Sequence, residues 1–173
     1  MESVQTYIFY ILAFLSLYVQ VFLLVTYFER RKDILIRKKP IKLATYPSVT
    51  VIVPCYNEED TIESTVNSLL QLRYPKDKLE IILIDDGSTD NTWKVLQKFE
   101  GQKNIRVYHQ ENGGKHTAIN FGLEQTTTEL VGGLDSDSFV HPEALKRIVS
   151  YFEDKKTMAV CPSIIVHNPQ NYL

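Results

Sequence analysis

Residues 48–60, SVTVIVPCYNEED, decide how this 173-residue chain reads. A nearly continuous Val/Ile run from Ser48 to Pro54 breaks at once into turn formers and carboxylates. Such a run, too short for a buried helix, suits a strand covered on both faces. The same pattern recurs in EIILID (Glu80–Asp85), IRVYH (Ile105–His109), ELVGGLD (Glu129–Asp135) and MAVCPSIIV (Met158–Val166). Helical patterns lie between the runs, at about Asp60–Gln71, Asn91–Phe99, Gly114–Gln125 and Pro142–Phe152. Asp60 or Thr61 can cap the first, a residue of Thr89–Asn91 the second, and Pro142 suits a first helical turn. Strand and helix in alternation predict right-handed crossovers and an α/β fold, a Rossmann-like, mostly parallel sheet.

In a parallel sheet the functional edge is the one where the strands end. Three runs end in carboxylates there: PCYNEED (Pro54–Asp60), DDGSTD (Asp85–Asp90) and DSDS (Asp135–Ser138). Glu58, Glu59, Asp60, Asp85, Asp86, Asp90, Asp135 and Asp137 are thereby expected near one another. So many like charges in one cleft call for a cation or for hydrogen-bond donors. Extended backbone through DSD is expected to point Asp135 and Asp137 to the same side, as oxygen ligands for a hard divalent ion, Mg²⁺ or Mn²⁺. An acidic cleft can in this way hold an anionic diphosphate, with the metal as bridge. The third run leads into QENGGKHTAIN (Gln110–Asn120), where two glycines permit a tight turn and Lys115 opens a helix. It is not a P-loop, because His109 and His116 stand where Gly and Ser/Thr are required, and no G-x-G-x-x-G follows the first strand.

The composition, 44% hydrophobic and 23% charged, excludes disorder; two cysteines exclude a disulfide scaffold, and seven Gly with seven Pro a low-complexity chain. The net charge of −2 is a cancellation. Residues 1–28 carry −1, residues 29–42 carry +5, and residues 43–173 carry −6. Val4–Phe28 has no charged residue, and as a helix it would be roughly 37 Å long against a hydrocarbon core of about 30 Å. Tyr7, Tyr10 and Tyr27 stand near its ends, where interfacial aromatics lie. A cleaved signal peptide fits poorly, with Glu2 in place of a basic leader and no small-residue cleavage pattern. The next segment, ERRKDILIRKKPIK, holds seven Lys or Arg and marks the cytosolic side, so the N-terminus is expected outside. The domain reading is a membrane helix at 1–28, a basic linker at 29–45 and an α/β part at 46–173. Cys55 and Cys161 would then be reduced, and both are expected as buried side chains at strand ends.

IVPCYNEE (Ile52–Glu59), DDGSTD, GGKHTAIN (Gly113–Asn120) and DSD, in this order, resemble glycosyltransferase family 2 with its GT-A fold. The resemblance covers about Tyr46–Val166 and is to the membrane-bound branch related to hyaluronan, chitin, cellulose and poly-N-acetylglucosamine synthases. It implies an inverting, metal-dependent transferase using a UDP-sugar donor and a glycan or lipid-linked acceptor, with no nucleic-acid partner. Pro54, Tyr56, Asn57 and Glu58 would frame the nucleoside, and Asp86, with or without Asp85, would bond the uracil edge. Lys115 would lie near the diphosphate, Asp135 would reach ribose or metal, and Asp137 would be the principal metal ligand. His116 departs from the small residue usual after that lysine, and reads as an exposed helix-start histidine. The family's acceptor site, its carboxylate base and the Q-x-x-R-W motif are not found after Val166. The chain therefore reads as the donor-binding half, expected to bind UDP with Mn²⁺ but to transfer little, with no catalytic base assigned.

Two rival classes have weaker sequence support. A sugar nucleotidyltransferase would carry a Gly-rich loop ending in a basic residue after the first strand, where this chain has CYNEED. A receiver-type signalling module would end its third strand in an aspartate, where this chain has His109 and Gln110. A non-catalytic nucleotide-sugar-binding module remains the alternative within the family.

Overall fold

The structure is a computed structural model that describes residues 3–36 and 43–162, with side chains described at 3–29 and 43–162. It divides into two units, residues 1–40 and 41–173. The first unit is one helix, α1 (Val4–Ile36). Its Val4–Glu29 portion is long and apolar enough to cross a membrane, and no residue of that stretch is buried. Helix continues through Glu29 into the basic stretch that the sequence reading assigned to a linker, since Arg, Lys and Leu are all good helix formers.

The second unit carries four parallel strands: β1 (Val49–Cys55), β2 (Leu79–Asp86), β3 (Ile105–Gln110) and β4 (Leu130–Gly133). Their order is β3-β2-β1-β4, so the expected Rossmann-like parallel sheet is borne out. Its helices are α2 (Ile62–Leu70), α3 (Thr92–Gln97), α4 (Lys115–Glu124) and α5 (Ala144–Ser150), each shorter than its sequence pattern. The fifth run is not a strand at Met158–Pro162, and its remainder lies outside the described residues.

Alternation along the central strands builds two cores. Val49, Val51, Val53, Ile81 and Leu83 pack with Ile62, Val66 and Leu69 of α2, Leu96 of α3, and Leu145 and Val149 of α5. On the opposite face Ile52, Ile82 and Ile84 meet Ala118 and Phe121 of α4. That helix comes very close at Gly122, where a Cβ would stand 2.7 Å from Ile52 Cγ2. The inner strands β1 and β2 are buried almost throughout, and the outer β3 and β4 are half-exposed.

Cys55 is buried at the end of β1 as expected. Cys161 is instead exposed, a correction that follows from the irregular backbone at Met158–Pro162, which offers no strand end to bury it.

Candidate donor-nucleotide site

The sheet runs outward from β1 to β2 and β3, and then the chain returns to place β4 on the other side of β1. A crevice must open beyond the strand ends where the direction reverses, between β1 and β4. A groove of about 270 Å³ lies there, lined by Pro54, Cys55, Tyr56, Glu58, Asp86, Lys115, Asp135, Ser136 and Asp137. Seven of the sequence-predicted residues line it: Pro54, Tyr56, Glu58, Asp86, Lys115, Asp135 and Asp137. Asn57 and Asp85 do not.

Asp85 and Asp86 part because consecutive strand residues face opposite ways. Asp85 is fully buried on the α3 face, its Oδ2 2.7 Å from His109 Nδ1 and its Oδ1 without a partner. The His109 ring rests against Trp93, with centroids 5.1 Å apart. Asp86 faces the α4 side. Its Oδ1 accepts from Gln110 Nε2 at 2.6 Å and from the Gly113 amide at 3.1 Å, and its Oδ2 accepts from the Gly114 amide at 2.9 Å. A carboxylate offers about four acceptor positions, so one remains on Asp86 for a ligand at the groove.

These contacts shape the turn that presents Lys115. Gly114 has φ +91°, a left-handed conformation that suits glycine, and a Cβ on Gly113 would lie 2.7 Å from Thr117 Oγ1. The turn delivers Lys115 to the first position of α4, where its Nζ meets Asp135 Oδ1 at 2.5 Å. Both side chains are well exposed. His116 follows as the exposed helix-start residue that was expected.

DSD is not extended as expected. A turn closes there, with the Ser138 amide donating to the Asp135 carbonyl at 3.1 Å, and Ser136 is buried between two exposed aspartates. Thr65 Oγ1 of α2 donates to the Ser136 carbonyl at 2.8 Å and fastens the turn to the core. Asp135 and Asp137 still reach the same groove. Among the described residues the Asp137 carboxylate receives a single 3.4 Å hydrogen bond, from the neighbouring Ser138 hydroxyl.

The loops after β1 and β2 are laced together. Asn57, at φ +55°, accepts from the Thr89 amide at 2.8 Å and donates its own amide to Ser88 Oγ at 3.0 Å. The Glu58 amide donates to Thr92 Oγ1 at 2.7 Å. Asp90 accepts from the Glu59 amide at 3.2 Å and from the Thr92 amide at 2.9 Å, and so satisfies the first free amide of α3 from one residue before the cap position, Asn91. Burial pushes the Asp90 carboxyl up, but the Thr92 and Glu59 hydrogen bonds outweigh it and hold it below its ordinary 3.8. The stabilisation from its charge is therefore full above the unfolded value and lost as pH falls through the lower, folded one. Asp90→Asn keeps the hydrogen-bond acceptor and removes the charge, and is expected to lower the melting temperature at neutral pH by about 2 °C, about 0.5 kcal/mol. Unfolding curves recorded from pH 7 to 2 should show that gap narrowing below about pH 4.

Reasoning from sequence missed the groove residues Cys55 and Ser136 and the positioning contacts of Gln110, Gly113 and Gly114. The signal for Ser136 was its place inside DSD; Gln110 had none, because its contact crosses from β3 to β2. Cys55 is buried, and burial first, then the nearby charges of Asp85 and Glu58, push its thiol up, away from the thiolate form. Among the described residues no group of three or more His, Cys, Asp or Glu could hold a metal unaided. Two carboxylates facing a groove suit a hard ion that takes its remaining ligands from phosphate oxygens and water.

Poly-beta-1,6-N-acetyl-D-glucosamine synthase of Staphylococcus aureus strain MSSA476 is 37% identical over 163 residues, covering 92% of this chain and 39% of the relative. The chain thus spans about two fifths of that protein's length. The structure of S. aureus TarS 1-349 in complex with UDP-GlcNAc matches with a TM-score of 0.57 and 34% identity, over 62% of this chain and 31% of that one. The mannosyltransferase PcManGT from Pyrobaculum calidifontis, in complex with GDP-Man and Mn²⁺, matches with a TM-score of 0.61 and 30% identity, over 76% and 40%. These matches support the GT-A-like parallel sheet as the fold. The family model for glycosyl transferase family 2 covers residues 50–173, and the chain belongs to that family.

Proposed function

We propose that the β1–β4 groove is the UDP-sugar site of a metal-dependent, inverting glycosyltransferase that extends a glycan or a lipid-linked acceptor. The observation that carries this reading is the convergence of Glu58, Asp86, Asp135, Asp137 and Lys115 on one groove at the switch point of the sheet. Tyr56, nearly half exposed at the groove, offers a face on which a base can stack, with Pro54 and Glu58 beside it. Asp86 accepts the uracil N3–H with its remaining lone pair. Asp137 and Asp135 would hold a divalent ion, Mn²⁺ or Mg²⁺. When bound, that ion would neutralise charge on the departing diphosphate. Lys115, paired with Asp135 on the exposed rim of the groove, would supply a positive charge to a bound diphosphate.

Two relatives support the ligand class: TarS is known with UDP-GlcNAc and the mannosyltransferase with Mn²⁺. The synthase similarity supports polysaccharide as the product. In this reading the apolar Val4–Glu29 portion of α1 is the membrane span, and the part of the chain from residue 46 onward binds the donor. The seven basic residues of 29–42 favour a cytosolic groove and an outward N-terminus.

Isothermal calorimetry of the full chain in detergent, with UDP titrated in the presence and absence of Mn²⁺, tests the proposal. Binding is expected only with the ion. Equal binding without it would overturn the metal bridge, and no binding in its presence would overturn the donor site.

A further inference from the structure

The last two residues of β3 reach across to the last two of β2, one on each face of the sheet. In the parallel ladder Asp85 stands beside His109 and Asp86 beside Gln110. On the α3 side His109 Nδ1 lies 2.7 Å from Asp85 Oδ2, and a carboxylate only accepts, so Nδ1 is the donor. On the α4 side Gln110 Nε2 uses both of its N–H groups, donating to Asp86 Oδ1 at 2.6 Å and to Thr117 Oγ1 at 3.0 Å. β3 is an outer strand, with β2 as its one strand partner among the described residues. The end of such a strand is where a ladder opens first, and here the chain leaves it directly for the turn that carries Gly113, Gly114 and Lys115.

Stability does not account for Asp85. Its side chain is fully buried and its Oδ1 has no partner among the described residues. A carboxylate sealed from water in that way costs stability, and a partner on one oxygen offsets only part of the cost. That partner is His109, half-exposed and backed by the Trp93 ring.

We infer that His109 is a positioning residue for the donor site. Held by Asp85 and Trp93, it pins the end of β3, so that the next residue, Gln110, can hold Asp86 to the first turn of α4. It acts through Gln110, from the face of the sheet opposite Asp86. The inference rests on reading the groove as the UDP site.

The test exploits the shape of the imidazole. Asn carries its Nδ2 where His carries Nδ1, so His109→Asn keeps the donor to Asp85, whereas Gln carries its amide at the Nε2 position and withdraws that donor. Calorimetry of the full chain in detergent, with UDP and Mn²⁺, should give His109→Asn within about threefold of wild type and His109→Gln about tenfold weaker. In a Gln110→Ala background the same His109→Gln change should cost less than about twofold, because its effect runs through Gln110. Without ligand, deuterium exchange in His109→Gln should quicken about tenfold over residues 111–117 and stay unchanged over 81–84, which general destabilisation would not produce. Where the unpaired carboxylate prevents folding, Asp85→Asn/His109→Gln measured against Asp85→Asn gives the same comparison without the buried charge. Equal affinities in His109→Asn and His109→Gln, additive losses with Gln110→Ala, or exchange that quickens equally in both segments would overturn the positioning role. A wild type that binds no UDP would instead overturn the donor site, and the exchange comparison, which needs no ligand, still decides whether His109 holds the turn.

Discussion

Asp137→Ala is expected to weaken UDP binding in Mn²⁺ by about 100-fold or more while leaving the unfolding transition in place. A ligand that only orients a metal-bound group typically costs 10- to 100-fold when removed, and a direct ligand in a site with two protein carboxylates should cost at least as much. The fold does not depend on this side chain, because Asp137 is exposed and its carboxylate has a single hydrogen bond among the described residues, the 3.4 Å one from Ser138. The turn is held from elsewhere, by Thr65 on the Ser136 carbonyl and by the Ser138 amide on the Asp135 carbonyl. Calorimetry with UDP and Mn²⁺, paired with thermal unfolding, checks both halves. Metal-dependent binding that survived the substitution would remove Asp137 from the metal site.

Asp86→Ala is expected to act on fold and site together. Its carboxylate accepts from two backbone amides and one side-chain amide, and hydrogen bonds to a charged group are each worth about 1.5–3 kcal/mol. The glycine turn lies near solvent and water can replace part of this, so a net loss of about 3 kcal/mol and about 10 °C in melting temperature is expected. The same three contacts aim the Gly113–Gly114 turn and therefore Lys115, so UDP binding should fall below detection. Asp85→Asn is the paired control. It keeps shape and a hydrogen bond to His109 on the opposite face of the sheet, so UDP affinity should remain within about threefold of wild type. Equal loss of UDP binding in the two variants would contradict the division of roles between the neighbouring aspartates.

Much of this site was legible in the residues. The carboxylates after β1, β2 and β4 could be assigned to one edge because parallel strands share a direction, and Val/Ile runs without polar interruption suit the covered strands of such a sheet. Gly114 was readable as a turn residue, and its φ of +91° shows why. Less was legible where a contact crosses between elements. Asp90, and not the cap residue Asn91, takes the first free amide of α3, and the Glu59 amide comes to the same carboxylate from another loop. The fifth apolar run has strand composition, yet Met158–Pro162 has no strand partner among the described residues, and composition cannot supply one.

By itself, then, the sequence determined the alternation of strand and helix, the long apolar helix, and which residue types stand at each strand end. These follow from side-chain periodicity and local backbone preference, which act over a few residues. Tertiary structure alone decided that β4 lies beside β1, which opens the groove, and that Asp86 faces it while Asp85 is sealed against His109. Those outcomes depend on strand order and register, which are set by burial across the whole sheet, where a shift of one residue exchanges its two faces.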